Sequence, residues 1–315
     1  MKTAFVFPGQ GSQTVGMLSD VADQFDLVQQ LFKQAADILA YDLSDIVFSG
    51  PAEKLNQTIY TQPALLVADV AMWRLWQSQG GRLPDVMAGH SLGEYAALVA
   101  AEAISFADGV KLVAKRAALM QSAVPEGEGA MAAIVLLPLE KVEAICQQAS
   151  EGDTVMVANV NEPNQTVIAG HVAAVERAIA LAKQAKAKIA KRLPVSIPSH
   201  CPLMLSASEN LAEFLQEIPI KSPKIPVISN VDALVHSDPE AIRLALSRQV
   251  YCPVRWQQTV ESMINQGIER IIECGPGKVL TGLNRRISKQ INAFTLNNLD
   301  SLRQLLNSVD TEEDV

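Results

Sequence analysis

Cysteine is scarce in this chain, which has only four cysteines in 315 residues. They are widely scattered, at Cys146, Cys201, Cys252 and Cys274, and no C-x-x-C pair is present. This spacing argues against a zinc site, so we expect no bound metal and free thiols in a reducing cytosol.

Long apolar runs and an excess of basic residues are also missing. No apolar stretch approaches the ~20 residues that a membrane span needs, and the apolar N-terminal run is too short for a signal peptide. Acidic residues outnumber Lys and Arg by 34 to 26, which gives a formal charge of −8. Because broad phosphate contact needs a basic face, we expect neither a nucleic-acid nor a membrane partner. An acidic partner would have to meet a local basic patch.

The chain has the composition of a globular protein, with 49% hydrophobic and 19% charged residues. Residues 3–7 have the pattern of a first strand, and helical patterns follow at residues 22–39, 63–77, 92–101 and 107–122. This alternation predicts the α/β class, with a parallel sheet covered by helices.

A second rhythm begins after a linker near residues 124–129. Strand and helix patterns then follow in the order β-α-β-β-α-β up to residue 195, which is the order of a ferredoxin-like subdomain. We therefore predict a large subdomain made of residues 1–124 and 198–315. Residues 125–197 would form the inserted ferredoxin-like subdomain.

The most informative motif is Gly89-His90-Ser91-Leu92-Gly93, a G-x-S-x-G run between a short apolar stretch and a small-residue helical stretch. This is the sequence form of a nucleophile elbow, a tight strand-to-helix turn that exposes a serine hydroxyl. The N–H groups that begin the following helix would point toward negative charge developing on a substrate. An ordinary serine-containing turn is the alternative.

A serine at neutral pH needs a base, and only four histidines are present. His90 adjoins the serine and is interpreted as packing at the turn, while His171 and His236 are expected to be solvated. His200 lies in the proline-bracketed turn Ile197-Pro198-Ser199-His200-Cys201-Pro202, which would hold its side chain in place. It is the candidate base, with a structural histidine as the alternative. Its position well before the C-terminus fits an α/β-hydrolase poorly.

Two other features leave alternatives open. Arg116 and Lys115 both have apolar neighbours at helical spacing, so periodicity does not choose which one is buried, and a structural ion pair would explain either. The turn Gly9-Gln10-Gly11 lacks the third glycine of a dinucleotide fingerprint, because Thr14 occupies that position. It is either an ordinary turn or a source of an oxyanion-binding N–H.

Taken together, the motifs resemble those of malonyl-CoA:acyl-carrier-protein transacylases of bacterial fatty-acid synthesis, over essentially the whole chain. The resemblance rests on Phe7-Pro8-Gly9-Gln10-Gly11-Ser12-Gln13, Thr61-Gln62-Pro63-Ala64, the elbow with Glu94-Tyr95, Arg116, Met131-Ala132-Ala133-Ile134, Pro198-Ser199-His200, Pro253-Val254-Arg255-Trp256 and Glu273-Cys274-Gly275-Pro276-Gly277.

The resemblance implies an α/β-hydrolase-like core for the large subdomain, a role for each matching residue and no cofactor. Ser91 would accept the acyl group, His200 would be its base, and the backbone carbonyl of Gln249 would orient the imidazole. Arg116 would pair with the malonyl carboxylate. The remaining implied roles are an oxyanion hole from the N–H groups of Gln10 and Leu92, and a pocket lining from Gln62 and Asn161.

The implied partners are malonyl-CoA and an acidic acyl carrier protein. A carrier would dock on a basic rim formed by Lys191, Arg192, Arg285, Arg286 and Lys289, with a set of solvated charges as the alternative. Nothing in the sequence demands more than a monomer. Two other functions are weighed: a serine esterase or thioesterase, which predicts a carboxylate as third member, and a non-catalytic acyl-binding scaffold.

Overall fold

The computed structural model describes residues 1–195 and 197–310. Ser196 and residues 311–315, which belong to the predicted subdomain ranges, lie outside the described residues. The described strands are β1 (Thr3–Phe7), β2 (Val86–Gly89), β3 (Gly129–Val135), β4 (Val155–Glu162), β5 (Gln165–His171), β6 (Ile189–Arg192), β7 (Val227–Ile228), β8 (Arg270–Cys274) and β9 (Asn292–Leu296).

Helices follow or precede most of these strands, and a short 3-10 turn spans Pro202–Met204. The described α-helices are α1 (Ser19–Ala22), α2 (Asp26–Leu39), α3 (Leu43–Phe48), α4 (Ala52–Leu55), α5 (Thr58–Ser78), α6 (Leu92–Ala100), α7 (Phe106–Ser122), α8 (Leu139–Ser150), α9 (Val172–Gln184), α10 (Leu205–Glu217), α11 (Pro239–Gln249), α12 (Trp256–Asn265), α13 (Val279–Ile287) and α14 (Leu299–Asp310).

The larger sheet has the strand order β7-β2-β1-β8-β9, and every neighbouring pair is parallel. β2 is apolar and buried throughout, and β8 is buried throughout although it contains Arg270 and Glu273. Helices cover both faces of such a sheet, which accounts for the burial of side chains on both sides of these two strands. The predicted α/β class is confirmed.

The smaller sheet is antiparallel, with the order β4-β5-β3-β6. Helices α8 and α9 pack on one face and form a separate apolar core. The opposite face, with Met131 and Val167, packs against Cys201 of the large subdomain. This is the ferredoxin-like arrangement that the order of elements predicted.

The parallel register explains why distant segments meet at one edge of the larger sheet. Phe7 of β1 is the partner of Gly89 at the end of β2, and β7 pairs with the other side of β2. Because the carboxyl ends of parallel strands share an edge, the segments that follow β1, β2 and β7 lie side by side. These segments contain Gln10, Ser91 and Asn230.

Backbone hydrogen bonds join the two subdomains. The N–H of Val160 in β4 donates to the carbonyl of Val254 at 2.9 Å, and the N–H of Val254 donates to Ala158 at 2.9 Å. The guanidinium of Arg286 in α13 lies 3.5 Å from the carboxylate of Glu162 at the end of β4. These contacts fix the small sheet beside the carboxyl edge of the large one.

Helix boundaries differ from the predictions where local signals mislead. Pro63 was predicted to start a helix, but α5 begins at Thr58 and Pro63 lies inside it. The helical pattern predicted from residue 22 is interrupted, because Phe25 has an extended conformation and caps α2. Within the described part of the chain, no helix combines the length and apolarity that crossing a membrane requires.

Candidate active site

Ser91 sits at the tip of a sharp turn between β2 and α6, with φ 53° and ψ −106°. Few non-glycine residues adopt a positive φ, and strained backbone of this kind is concentrated at functional sites. A Cβ added to Gly89 would lie 1.8 Å from the carbonyl carbon of Gly93, and one added to Gly93 would lie 2.0 Å from the carbonyl oxygen of Phe7. Only glycine therefore fits at both positions, and the motif folds as the predicted elbow.

His200 follows the inserted subdomain in the sequence, and its side chain lies next to Ser91. Its Nε2 lies 2.7 Å from Ser91 Oγ, and its Nδ1 lies 2.7 Å from the backbone carbonyl of Gln249. A carbonyl only accepts hydrogen bonds, so Nδ1 carries the proton and Nε2 is left to accept from the hydroxyl. The backbone N–H of His200 donates to Val250, which fixes the turn on the end of α11.

The surroundings of His200 make it a neutral imidazole. Burial, and secondly the nearby positive charge of Arg116, lower the pKa of His200 to about 3. The hydrogen bond to the Gln249 carbonyl opposes this shift. The ordinary imidazole pKa of ~6.5 therefore does not apply to His200 in the free site. Nε2 stays unprotonated, and able to accept a proton, far below neutral pH.

Arg116 projects from α7 into the same site and is only 2% exposed. Its Nη1 donates to Gln62 Oε1 at 2.7 Å, and its Nη2 donates to Gln249 Oε1 at 3.0 Å and to Ser91 Oγ at 3.1 Å. The guanidinium also stacks over the ring of Tyr95, 5.1 Å from its centroid. Neutral amides, a hydroxyl and an aromatic ring thus hold a buried cation beside the serine.

The structure resolves the choice between two adjacent cations on α7. Lys115 is exposed, and its ammonium lies over the ring of Phe214 rather than in the site. In the part of the chain that the structure describes, Arg116 does not form the structural ion pair that was considered for it, and donates instead to the side chains of Gln62 and Gln249. A buried guanidinium held in this way keeps its full charge for a ligand carboxylate, which its planar fork can bind with two hydrogen bonds.

The two predicted oxyanion donors lie on neighbouring turns. Leu92 is the first residue of α6, so its N–H has no acceptor within the helix. Gln10 is exposed in the turn after β1. A Cβ added to Gly9 would be 2.4 Å from the carbonyl oxygen of His90 and 3.7 Å from the nitrogen of Leu92, so this turn lies directly on the elbow.

The pocket-lining residues take different positions. Gln62 is buried in α5 and contacts Arg116 directly. Asn161, from the end of β4, instead contacts His90, with Oδ1 2.8 Å from Nε2. The ring of His90 also packs against Trp256. Asn161 therefore ties the small subdomain to the elbow, and its described contact is with His90 rather than with the serine.

Three contributions were missed by sequence reasoning: Glu94, Asn230 and the side chain of Gln249. Glu94 accepts hydrogen bonds from both of the other residues. A glutamate among the apolar residues of α6 was the available signal, since a carboxylate buried in a helix needs partners. The partners come from distant segments, and nothing local identifies them.

Other predicted positions lie outside this cluster. The five basic-rim residues are all exposed, with Lys191 and Arg192 on the edge strand β6 and the other three around the end of α13. Arg285 donates to the carbonyl of Ala293, and Arg286 contacts Glu162. Among the described residues, no group of three or more His, Cys, Asp or Glu side chains is arranged to hold a metal ion.

A parallel α/β sheet, a serine on a sharp strand-to-helix turn and a neutral histidine at hydrogen-bond distance are the combination typical of enzymes with a serine nucleophile. The family model described as "Acyl transferase domain" matches residues 4–299. This chain therefore belongs to the acyl transferase family and is an acyltransferase.

Relatives and solved structures support the same placement. The chain is 54% identical to the malonyl CoA-acyl carrier protein transacylase of Escherichia coli K12, over 93% of this chain and 95% of that protein. It is 42% identical to the Bacillus subtilis protein of the same name, over 99% of both chains. An acyl carrier protein S-malonyltransferase from Vibrio cholerae superposes with a TM-score of 0.95 at 53% identity, covering 97% of this chain and 100% of that one.

A further solved structure contains a carrier protein. It is a type II polyketide-synthase acyl-carrier protein in complex with its malonyl-transacylase, and the similar chain has a TM-score of 0.97 at 50% identity. The match covers 98% of this chain and 100% of that chain.

Proposed function

We propose that this chain transfers the malonyl group of malonyl-CoA to the pantetheine thiol of an acyl carrier protein, through a malonyl ester on Ser91. The observation that carries the proposal is the buried Arg116 guanidinium, 3.1 Å from Ser91 Oγ. A malonyl group has a free carboxylate one methylene away from its reacting carbonyl. An acyl group of this length and charge matches a cation placed next to the nucleophile.

In the first half-reaction, Ser91 Oγ attacks the thioester carbonyl while Nε2 of His200 takes the hydroxyl proton. The N–H groups of Gln10 and Leu92 would donate to the oxyanion of the tetrahedral intermediate. Each such donor is typically worth ~10²–10³ in rate. The imidazolium then protonates the departing thiolate of coenzyme A, which leaves the malonyl ester on the serine.

Donor binding would also make the base stronger. The charge of Arg116 is one of the causes that lower the pKa of His200. A malonyl carboxylate paired with the guanidinium balances that charge, so the pKa of His200 rises when the donor is bound. The imidazolium that forms during the reaction is then less costly than in the empty site.

The second half-reaction reverses these proton transfers with a new thiol. The pantetheine thiol gives its proton to Nε2 of His200 and attacks the ester carbonyl. The bond to Ser91 Oγ breaks, and the serine recovers its proton from the imidazolium. The scheme is ping-pong, because one serine takes part in both transfers.

The geometry favours this scheme over the esterase hypothesis. An esterase predicts a carboxylate on Nδ1 of His200, whereas the partner found there is the Gln249 carbonyl, 2.7 Å away. An esterase for neutral acyl groups also gives no reason for a buried cation beside the nucleophile. The intact set of Ser91, His200 and Arg116 likewise gives a non-catalytic scaffold no support.

For the carrier protein we propose the basic rim as the docking surface. Lys191 and Arg192 give the cleaner test, because Arg286 also holds Glu162 of the small subdomain. Lys191→Glu should raise KM for the carrier protein at low salt and leave malonyl loading unchanged. Lys33→Glu, an exposed charge reversal on α2, is the matched control. Unchanged carrier kinetics in Lys191→Glu at low salt would remove Lys191 from the proposal.

The site is built from one chain, so we propose a monomer, which light scattering would test.

The function itself is tested by intact-protein mass spectrometry after brief mixing with malonyl-CoA, followed by peptide mapping. One malonyl group is expected on Ser91, none in Ser91→Ala, and a normal amount in Ser122→Ala. Added carrier protein should then remove the group as malonyl-carrier thioester. Release of free malonate alone would favour the esterase instead.

A further inference from the structure

Glu94 is a buried carboxylate that takes no part in the proton transfers described above. It is the third residue of α6, and it is 2% exposed. Its Oε2 accepts one hydrogen bond from Gln249 Nε2 at 2.7 Å and another from the backbone N–H of Asn230 at 3.1 Å. Burying a carboxylate is costly, and it persists only where hydrogen-bond donors compensate.

Both partners of Glu94 also hold the backbone of the elbow. Asn230 Oδ1 accepts from the N–H of Ser91 at 2.7 Å, and Asn230 Nδ2 donates to the carbonyl of Gly89 at 2.6 Å. Gln249 Nε2 donates to the carbonyl of Ser91 at 2.9 Å. The N–H and the carbonyl of the strained Ser91 are thus held by the side chains of Asn230 and Gln249. Glu94 Oε2 binds the backbone N–H of Asn230 and the side-chain amide of Gln249.

The same carboxylate fixes which way the Gln249 amide points. A carboxylate only accepts hydrogen bonds, so the NH₂ of Gln249 faces Glu94 and its Oε1 faces the other way. There Oε1 accepts from Nη2 of Arg116, 3.0 Å away. A flipped amide would place its NH₂ against the guanidinium. The Ser91 carbonyl also accepts from this NH₂, so Glu94 and the carbonyl together give Arg116 an acceptor at this position.

We infer that Glu94 is a positioning residue for malonyl recognition, acting through Gln249 on Arg116 and through Asn230 on Ser91. This inference rests on the proposed malonyl transfer. It assigns the selectivity for a carboxylate-bearing donor to a hydrogen-bond network behind the site as well as to the guanidinium itself. Without the carboxylate, Ser91 would be held less firmly, which would affect every acyl donor. Arg116 would also be held less firmly, which would affect the malonyl donor in particular.

Two variants of similar size test whether Glu94 acts as a hydrogen-bond acceptor, rather than through its volume or its charge. Glu94→Met keeps the volume and removes the acceptor, whereas Glu94→Gln removes the charge and keeps an acceptor oxygen. We expect single-turnover malonyl loading of Glu94→Met to fall about 10- to 100-fold, as for loss of a hydrogen bond to a charged group. Acetyl loading should fall less. Glu94→Gln should stay close to wild type for both donors.

Glu102→Gln is the matched control, because that glutamate follows the same helix and pairs with Lys224 at the surface. Should Glu94→Met fail to fold, Gln249→Met removes the link from Glu94 to Arg116 together with the contact to the Ser91 carbonyl, while it keeps Asn230 and the backbone carbonyl that orients His200. That variant should also lose malonyl loading more than acetyl loading.

The outcomes distinguish the inference from the proposed function. If the wild-type chain takes no malonyl group on Ser91, the proposed function fails. If the wild type is loaded but the folded Met variant loses malonyl and acetyl loading equally, or loses neither, the inference is overturned. A loss in Glu94→Gln as large as in Glu94→Met would overturn it as well, because acceptor geometry would not be what Glu94 supplies.

Discussion

Replacing Arg116 by alanine should lower acyl loading from malonyl-CoA much more than loading from acetyl-CoA. The side chain is almost fully buried and touches Gln62, Gln249 and Ser91. A malonyl carboxylate paired with it would be a hydrogen-bonded charge pair away from water. An acetyl group has no carboxylate, so it gains nothing from the guanidinium directly.

The expected size follows from these contacts. Removing one partner of a buried charge pair costs about 3–5 kcal/mol, which is a factor of about 150 to 5,000 in kcat/KM for malonyl-CoA. For acetyl-CoA the direct loss at the nucleophile is the hydrogen bond to Ser91 Oγ, worth about 0.5–1.5 kcal/mol or less than about 13-fold. The malonyl-to-acetyl ratio should therefore fall by at least about 10-fold.

The assay is stopped-flow or quenched acyl loading with each donor, together with a thermal unfolding curve for each variant. Lys115→Ala removes the neighbouring exposed cation on α7 and should change neither rate. Arg116→Lys keeps a charge without the planar fork, so its malonyl loading should lie between wild type and Arg116→Ala.

Two results would refute this reasoning. Equal loss with both donors, in a variant that unfolds at the wild-type temperature, would mean that Arg116 supports the serine but does not bind the carboxylate. Full malonyl loading in Arg116→Ala would mean that the carboxylate binds elsewhere.

Three further predictions concern the elbow, the base and an unused carboxyl. Gly93→Ala places a Cβ 2.0 Å from the Phe7 carbonyl oxygen, so denaturant unfolding should show a loss of about 1–3 kcal/mol and acyl loading should be abolished. Because His200 has a pKa of about 3 in the free site, wild-type kcat/KM should not decline as pH falls from 8 to 5. Arg116→Ala removes one cause of that lowering, so its acid limb should move to higher pH. Burial, and then the charge of Glu273, raise the pKa of Asp69 well above its usual value. In the folded protein Asp69 therefore keeps a proton that it releases above about pH 4 in the unfolded chain. The free energy of unfolding should then drop from pH 5 to 8 in wild type, and it should drop less in Asp69→Asn.

Each of these three predictions has a contrary result. Wild-type loading by Gly93→Ala would mean that the turn relaxes without moving the serine. A wild-type decline in kcat/KM centred near pH 6.5 would mean that His200 titrates as an ordinary imidazole. Identical pH dependence of unfolding in wild type and Asp69→Asn would mean that Asp69 is ionised in the folded chain.

Local order along the chain was enough to predict the architecture. The alternation of strands and helices, and the inserted β-α-β-β-α-β unit, depend on periodicity and turn residues that lie close together in sequence. The boundaries of α5 could not be placed in the same way, because tertiary packing of the buried helix keeps Pro63 inside it.

The strand-to-helix turn at Ser91 was also predicted from the sequence, because five consecutive residues carry the motif. The structure adds the reason for its glycines, since a Cβ on Gly89 or Gly93 would overlap backbone atoms. Three other features were decided only by the tertiary structure. These are which of two adjacent cations on α7 is buried, how far burial and a neighbouring charge lower the pKa of His200, and which side chains meet at Glu94. Each depends on groups that the chain brings together from more than 20 residues away, such as Ser91 with Arg116 and Glu94 with Asn230. Burial and Coulomb interactions act through space, so their strength follows from the packed fold and not from local sequence order.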